Sequence, residues 1–310
     1  MEQAPVLALM GATATGKTEL AIAIAERFPV EIISVDSALI FTGMDIGTAK
    51  PEPELRAAVP HHLIDIVDPA DSWSVWDFLE QCRQLVETIN ARGRVPLLAG
   101  GTMMYFHAFE HGLNRLPAAD AALRERLDED LRREGLEALY QRLAAIDPES
   151  AGRIHATDPQ RIQRALEVYE LSGVPLSELQ RRETSGYPGG IVKMVLAASD
   201  RAVLHQRVAS RFESMLEQGV IEEVEALRRR GDLDLTMPSM RCVGYRQIWR
   251  YLDGDFGREE MTEKAIAATR QLAKRQITWL RKQTDAAVYD CLKYRKDAIF
   301  QQIEEALREH

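Results

Sequence analysis

The segment Gly11-Ala12-Thr13-Ala14-Thr15-Gly16-Lys17-Thr18 constrains this chain more than any other stretch. It satisfies G-x-x-x-x-G-K-[ST] at every fixed position, which by average residue usage happens by chance in a chain of 310 residues roughly once in a hundred. Val6-Leu7-Ala8-Leu9-Met10 before it is a short apolar run. After it, Leu20, Ala21, Ile24 and Ala25 recur at helical spacing between Thr18 and Arg27. The motif therefore stands where a phosphate loop belongs, between a buried strand and the opening of a helix. Its glycines let backbone N–H groups turn inward around phosphate oxygens, and the helix N-terminus adds partial positive charge. The expected anion contacts are Thr13, Ala14, Thr15, Gly16, Lys17 and Thr18, with Lys17 as a point charge and the Thr18 hydroxyl as a ligand for Mg²⁺. The loop says that a phosphate chain is held, not which reaction follows.

Glu31-Ile32-Ile33-Ser34-Val35 reads as a second strand ending at Asp36. Trp73 to Ala91 is helical and closed by Gly93, and Pro96-Leu97-Leu98-Ala99 is a third strand ending at Gly100-Gly101. This β-α-β-α-β rhythm predicts a parallel sheet covered by helices on both faces. Ligands of such sheets bind at the carboxyl ends of the strands, which puts Gly11, Asp36 and Gly100 to Thr102 on one rim. From Pro117 to Glu183 the pattern is helix after helix, with no convincing strand. Val192 to Ala197 reads as a strand returning to the sheet, and after Asp200 the chain reads as helical to its end. The predicted architecture is α/β: a P-loop NTPase-like parallel sheet flanked by helices over 1–116 and 192–310, with a helical insertion over 117–191.

A net charge of −9 argues against a nucleic-acid partner for the chain as a whole. The average hides an asymmetry, because residues 241–296 carry 13 Lys/Arg against 7 Asp/Glu, a net of +6, leaving −15 elsewhere. A basic C-terminal segment on an acidic chain predicts a local polyanion site. No apolar run approaches the ~20 residues that cross a bilayer. No Lys or Arg precedes the apolar stretch within Met1 to Met10, so a signal peptide is not expected and a cytoplasmic location is. Cys82, Cys242 and Cys291 form no CxxC pair, which points to reduced thiols rather than zinc or redox chemistry. His61 and His62 are adjacent and cannot both face one ion from a regular element, so structural roles are expected.

Several longer strings carry a resemblance: EIISVDSALIFTGMDIGTAKP from Glu31, PHHLIDIVDP from Pro60, PLLAGGTMMYF from Pro96, DPQRIQRALEVY from Asp158, MRCVGYRQIW from Met240 and ATRQLAKRQITWLR from Ala268. Together with the phosphate loop, they closely resemble the bacterial tRNA dimethylallyltransferases, also called tRNA isopentenyltransferases, over almost the whole chain and in the family's motif order. The resemblance implies transfer of a five-carbon group from dimethylallyl diphosphate to N6 of adenosine-37 in the tRNA anticodon stem-loop. Diphosphate leaves with the help of Mg²⁺, and the family suggests a monomer. The loop would then hold the leaving group, whose departing charge Lys17, Mg²⁺ and backbone dipoles stabilise.

The resemblance also implies roles for single residues. Asp36 resembles the family's general base, since adenine N6 is a weak nucleophile and a carboxylate accepting its proton lowers the barrier. The other reading of Asp36 is an acid that ligates Mg²⁺ through water. Thr102 is placed near the target N6, or serves as a helix N-cap, and both can hold. Arg207 and Arg211 lie four apart on one helical face. They are either a second clamp on the diphosphate or a solvated basic face.

The RNA contacts implied include Asp36-Ser37-Ala38-Leu39, Thr102 and Arg124. Three further segments also read as RNA contacts from their own residues. Asp158-Pro159 opens a helix, with Gln160, Arg161, Ile162, Gln163 and Arg164 at its N-terminal end. Arg241-Cys242-Val243-Gly244-Tyr245-Arg246 sets an aromatic among arginines, as suits splayed single-stranded bases. Lys274-Arg275-Gln276-Ile277-Thr278-Trp279-Leu280-Arg281 lies in a helix where Arg270, Lys274 and Arg281 share one face beside an apolar stripe of Ile266, Ala273, Ile277 and Leu280. Leu39 and Phe41 stand where Gln and Tyr are common in the family. Ala12 and Thr15 replace its usual Pro and Ser at positions that the cradle does not fix. Two competing readings use the same loop: a small-molecule kinase, and a non-catalytic RNA-binding regulator switched by nucleotide. The first leaves the basic segment unexplained, and the second does not need Asp36 and Thr102 on one rim.

Overall fold

The computed structural model describes residues 5–308. Two compact units form: residues 1–110 with 187–310, and residues 111–186 between them. The insertion expected over 117–191 thus falls at His111–Gly186.

The larger unit opens with β1 (Val6–Gly11), the phosphate loop, α1 (Lys17–Arg27) and β2 (Val30–Val35). Short elements follow, α2 (Pro53–Ala58) and β3 (His61–His62), then α3 (Val75–Ala91), β4 (Val95–Gly100) and α4 (Met103–His111). The smaller unit is helical, with α5 (Ala121–Ile146), α6 (Pro148–Arg153), α7 (Pro159–Ser172) and α8 (Leu176–Gln180). The chain returns through β5 (Ile191–Ala197), α9 (Arg201–Gln218), α10 (Val220–Arg229), α11 (Tyr245–Leu252), α12 (Arg258–Leu280), β6 (Ala287–Asp290) and α13 (Lys296–Arg308).

The sheet is parallel throughout, in the order β3-β2-β4-β1-β5-β6. β1 and β2 are buried at every residue, as strands covered on both faces must be. Leu20, Ala21 and Ile24 of α1 and Ile299, Phe300 and Ile303 of α13 pack with Leu7, Leu9, Ile32, Leu97 and Met194 in one core. Helix α3 packs on β2 and β4 and is held at its start by a capping box between Ser74 and Asp77. The ends of β2 and β4 meet closely: a Cβ on Gly100 would lie 2.0 Å from the Val35 carbonyl oxygen, so only glycine fits there.

A second core joins α9, α10, α11 and the start of α12 to the chain after β2, through Ile40, Phe41, Met44, Phe212, Val224, Ile248 and Met261. It carries the irregular segment 36–50 to the rim of the sheet. One expectation fails: the chain is not helical from Asp200 to its end, because Ala287–Asp290 adds a sixth strand beside β5. In the smaller unit, α5 is broken at Gly135 (φ 83°), and Leu123, Leu127, Leu139 and Leu143 form its core with Ile162, Ala165 and Leu166 of α7.

Candidate active site

Two cavities open on the carboxyl rim of the sheet, of about 650 and 590 Å³, and they share walls at Ala14, Lys17, Thr18, Ala49 and Arg211. The smaller is lined by the phosphate loop from Ala14 to Thr18, with Glu19, Arg207, Cys291 and Tyr294. The larger is lined by Asp36 to Leu39, Gly100 to Thr102 and Arg241 to Gly244, and by Arg275, Gln276 and Trp279 of α12. Of the three strand ends expected on one rim, Asp36 and Gly100 to Thr102 line this space themselves, whereas Gly11 does not and its loop reaches the space through Thr13 and Ala14.

The loop is set by its own backbone and by α12. Ala14 (φ 63°) and Gly16 (φ 84°) take left-handed conformations that curl the chain around a central space. The Thr15 hydroxyl donates to the Ala12 carbonyl at 2.8 Å, and the Lys17 ammonium donates to the same oxygen at 2.7 Å. Burial pulls Lys17 down to about 8; Asp36 opposes the shift and Arg211 adds to it. Arg211 is also lowered by burial, with Asp36 and Glu19 opposing. Gln276 joins the loop to the end of β4: its Oε1 accepts from Thr13 N–H at 2.9 Å and its Nε2 donates to the Gly101 carbonyl at 2.9 Å. Gly101 leaves room for that amide, since a Cβ there would lie 2.5 Å from Nε2.

Asp36 follows β2 and accepts from Ala38 N–H at 2.9 Å, which leaves carboxylate oxygen capacity toward the larger cavity. Thr102 crosses from the end of β4, where its hydroxyl accepts from Ser37 N–H at 3.0 Å. The two side chains expected to share the chemistry are thus joined through the Asp36-Ser37-Ala38 turn. Arg207 is exposed and approaches the Cys291 sulfur at 3.9 Å, whereas Arg211 is half-buried and reaches the Thr48 carbonyl at 3.4 Å.

The expected RNA segments divide. Arg241, Arg246, Lys274, Arg275, Thr278, Arg281, Gln160 and Arg161 are exposed, although Arg161 pairs with Asp158 at 3.4 Å and the Thr278 hydroxyl donates to the Lys274 carbonyl at 2.9 Å. Tyr245, Ile162 and Leu280 are not. Tyr245 is the first residue of α11, wholly buried, with its hydroxyl on Glu223; the expected base-stacking ring is a core side chain. Ile162 is buried in the core of the smaller unit, and Leu280 is 7% exposed. Arg124 of α5 binds buried Glu167 of α7 at 2.9 Å, which ties the two helices, and Arg164, in the same helix as Glu167, binds it at 2.5 Å and donates to the Pro117 carbonyl at 2.7 Å. Among the aromatic residues that line the larger cavity, Trp279 comes from the expected basic helix, with the Lys282 ammonium 5.6 Å from its ring centre.

A family model described as IPP transferase matches residues 39–283. A tRNA dimethylallyltransferase of Alkalilimnicola ehrlichii is 60% identical over 279 residues, 90% of this chain and 88% of that protein. The chain belongs to the tRNA dimethylallyltransferase family. Among solved structures, the tRNA isopentenylpyrophosphate transferase of Bacillus halodurans aligns over 98% of this chain and 97% of its own, at 36% identity and a TM-score of 0.72. A eukaryotic dimethylallyltransferase acting on tRNA aligns over 93% of this chain and 74% of its own, at 25% identity and a TM-score of 0.77. Family membership displaces the kinase and regulator readings.

A dimethylallyltransferase needs more at this rim than the sequence flagged. Gly47, Thr48 and Ala49 line the larger cavity, and Ala49 the smaller as well. Their segment is pinned by Glu223, which accepts from the N–H groups of Asp45, Ile46 and Gly47 at 2.9, 2.7 and 3.1 Å. Buried Lys50 binds Asp45, Asp65 and the Phe41 carbonyl in the same segment. The signal was present in Asp45-Ile46-Gly47-Thr48-Ala49-Lys50, but its partner Glu223 is far away in sequence. Among the described residues no helix is long and apolar enough to cross a membrane, and no group of three or more His, Cys, Asp or Glu is arranged to hold a metal.

Proposed function

We propose that this chain transfers the dimethylallyl group of dimethylallyl diphosphate to N6 of adenosine-37 in a tRNA anticodon stem-loop, releasing diphosphate. The observation that carries the reading is the shared wall: Lys17, Thr18 and Arg211 belong to both cavities, one cationic around the phosphate loop, the other holding Asp36 and Thr102. The diphosphate sits on the loop, with Lys17, Arg207 and Arg211 facing its negative charge. The allylic C1–O bond breaks as N6 forms the new C1–N bond. Asp36 accepts the proton that N6 loses, a role worth about 10²–10⁴ in rate. The basic side chains of Arg241, Arg246, Lys274, Arg275 and Arg281 hold RNA phosphates, Trp279 offers a stacking face, and the exposed start of α7 in the helical unit adds contacts from Gln160 and Arg161.

Mg²⁺ fits this site as a partner of the bound diphosphate. The oxygen donor present at the loop, the Thr18 hydroxyl, suits a hard cation that takes its other ligands from phosphate and water. When bound, it neutralises charge on the departing diphosphate.

The test is direct. Purified protein is mixed with tRNA lacking the modification, Mg²⁺ and radiolabelled dimethylallyl diphosphate, and the digested RNA is scored for N6-dimethylallyladenosine. A parallel reaction supplies ATP instead. Label in adenosine-37 with release of diphosphate supports the reading. Productive turnover of ATP with no label in RNA overturns it. Sedimentation at working concentration checks the expected monomer.

A further inference from the structure

The smaller cavity has a wall that lies in none of the strings through which the chain resembles its family. Strand β6 runs parallel to β5, so its carboxyl end reaches the same rim as the phosphate loop. The turn that follows is tightly tied. Cys291 N–H donates to the Ala197 carbonyl at 2.7 Å, and Tyr294 N–H donates to the Asp290 carbonyl at 2.8 Å. The Asp290 carboxylate accepts from Leu292 N–H at 3.0 Å and from Ser199 N–H at 3.4 Å. These bonds fix residues 290–294 to the end of β5 and place Tyr294 in the lining of the cavity that also holds Lys17, Arg207 and Arg211.

We propose that the Tyr294 hydroxyl donates a hydrogen bond to the outer phosphate of the bound diphosphate, completing the anion site from the C-terminal segment. The inference rests on the reading that this cavity holds a diphosphate. Burial and the neighbouring Glu19 carboxylate keep the phenol above its ordinary range, so it is a neutral donor at working pH. Its ring packs in part against the core formed by α1, β1 and β5, which leaves the hydroxyl as the polar part of the side chain. Of the cations of the cavity, Lys17 is a point charge with little direction, whereas Arg207 and Arg211 carry forked donors. A phenol on a bonded turn supplies a donor in a fixed position, where Lys17 already answers to the Ala12 carbonyl.

A purely packing role for Tyr294 is separated by Tyr294→Phe, which keeps the ring and removes the hydroxyl. Binding of inorganic pyrophosphate with Mg²⁺ is measured by calorimetry at 10 °C, and steady-state transfer is measured against both substrates. In Y294F the pyrophosphate Kd and the donor KM rise roughly tenfold, the low end for a hydrogen bond to a charged group, while kcat and the tRNA KM stay within about twofold. If the wild-type chain binds pyrophosphate and Y294F binds it equally well, Tyr294 is not a ligand and the inference falls, with the diphosphate reading intact. If the wild type fails to bind pyrophosphate at all, the diphosphate reading falls with it. Tyr294→Leu is expected to show the same loss of pyrophosphate binding with a lower Tm; a lower Tm with unchanged pyrophosphate binding refutes the contact.

Discussion

Raising the pH from 7 to 9 should weaken donor capture through one group, Lys17. Its ammonium is held at about 8 in the free enzyme, chiefly by burial, with Asp36 opposing and Arg211 reinforcing. One pH unit above that value only about a tenth of the enzyme carries a charged Lys17. The diphosphate is already fully charged there, since the last ionisation of a phosphate falls near pH 6. kcat/KM for the donor, which reports groups of the free enzyme, should therefore fall about tenfold per pH unit above about 8. Other groups around the cavities do not mimic this limb: burial pushes Cys242 up to about 12, and Cys291 and Tyr294 are also raised. The affinity for inorganic pyrophosphate should fall along the same limb without any need for turnover. Lys17→Arg keeps a charge that does not titrate, and should move the limb out of the measurable range. A limb that stays near pH 8 in K17R assigns it to another group and refutes the argument. The shift also fixes the sign of a stability effect. Between about pH 8 and the ordinary lysine value of 10.5 the unfolded chain holds the extra proton, so the unliganded protein gains stability as pH rises through that window.

Asp36→Asn should lower kcat for transfer by at least about a hundredfold with the donor KM nearly unchanged, the loss expected of a general base; near wild-type turnover removes that role. Gln276→Ala deletes both 2.9 Å bonds that join the phosphate loop to the end of β4, a cost of about 1–3 kcal/mol. It should weaken pyrophosphate binding roughly fivefold or more in calorimetry, while tRNA affinity in filter binding holds within about twofold; the opposite split makes Gln276 an RNA contact. Tyr245→Phe removes the hydroxyl bonded to Glu223 and should lower Tm by an amount worth about 1 kcal/mol, with tRNA affinity unaltered, because the ring is buried. A tenfold loss of tRNA affinity in Y245F reinstates a stacking role.

The parts of the site that were legible in the sequence are those whose chemistry fixes both residue type and spacing. A phosphate loop needs glycine where φ is positive and a lysine at the helix start, so residues 11–18 declare themselves, as do strand ends marked by Asp36 and Gly100-Gly101. What was not legible depends on distant partners. A tyrosine between arginines reads the same whether it faces RNA or the core, and Glu223, which decides the matter, lies 22 residues away. Gln276 reads as one more polar residue in a basic row until Gly101 is brought beside it, 175 residues distant. β6 is four residues long with Val288 63% exposed, too short for alternation to stand out. Ile162 stands among RNA-facing residues in the sequence although the helix turns it onto its buried face, whereas burial of Leu280 is legible from its place in the apolar stripe of α12.

The segment from Asp36 to Lys50 shows why a site of this kind needs charges inside the protein. It must line the rim without a strand or helix to satisfy its N–H groups, and buried N–H groups require partners. Glu223 takes three of them at once and the Tyr245 hydroxyl as a fourth, and hydrogen bonds to a carboxylate are stronger than those between neutral groups. Gly47 is required for the ring to come so close, because a Cβ there would lie 2.6 Å from it. Lys50 closes the other end on Asp45 and Asp65. The result ties the wall shared by the two cavities, at Ala49, to α10 and to the start of α11, next to the turn that brings Arg241 to Gly244 to the larger cavity. An enzyme that must present a diphosphate and a nucleobase to each other gains from one rigid lip serving both, because a small misplacement of reacting atoms costs far more rate than the few kcal/mol spent holding the lip in place.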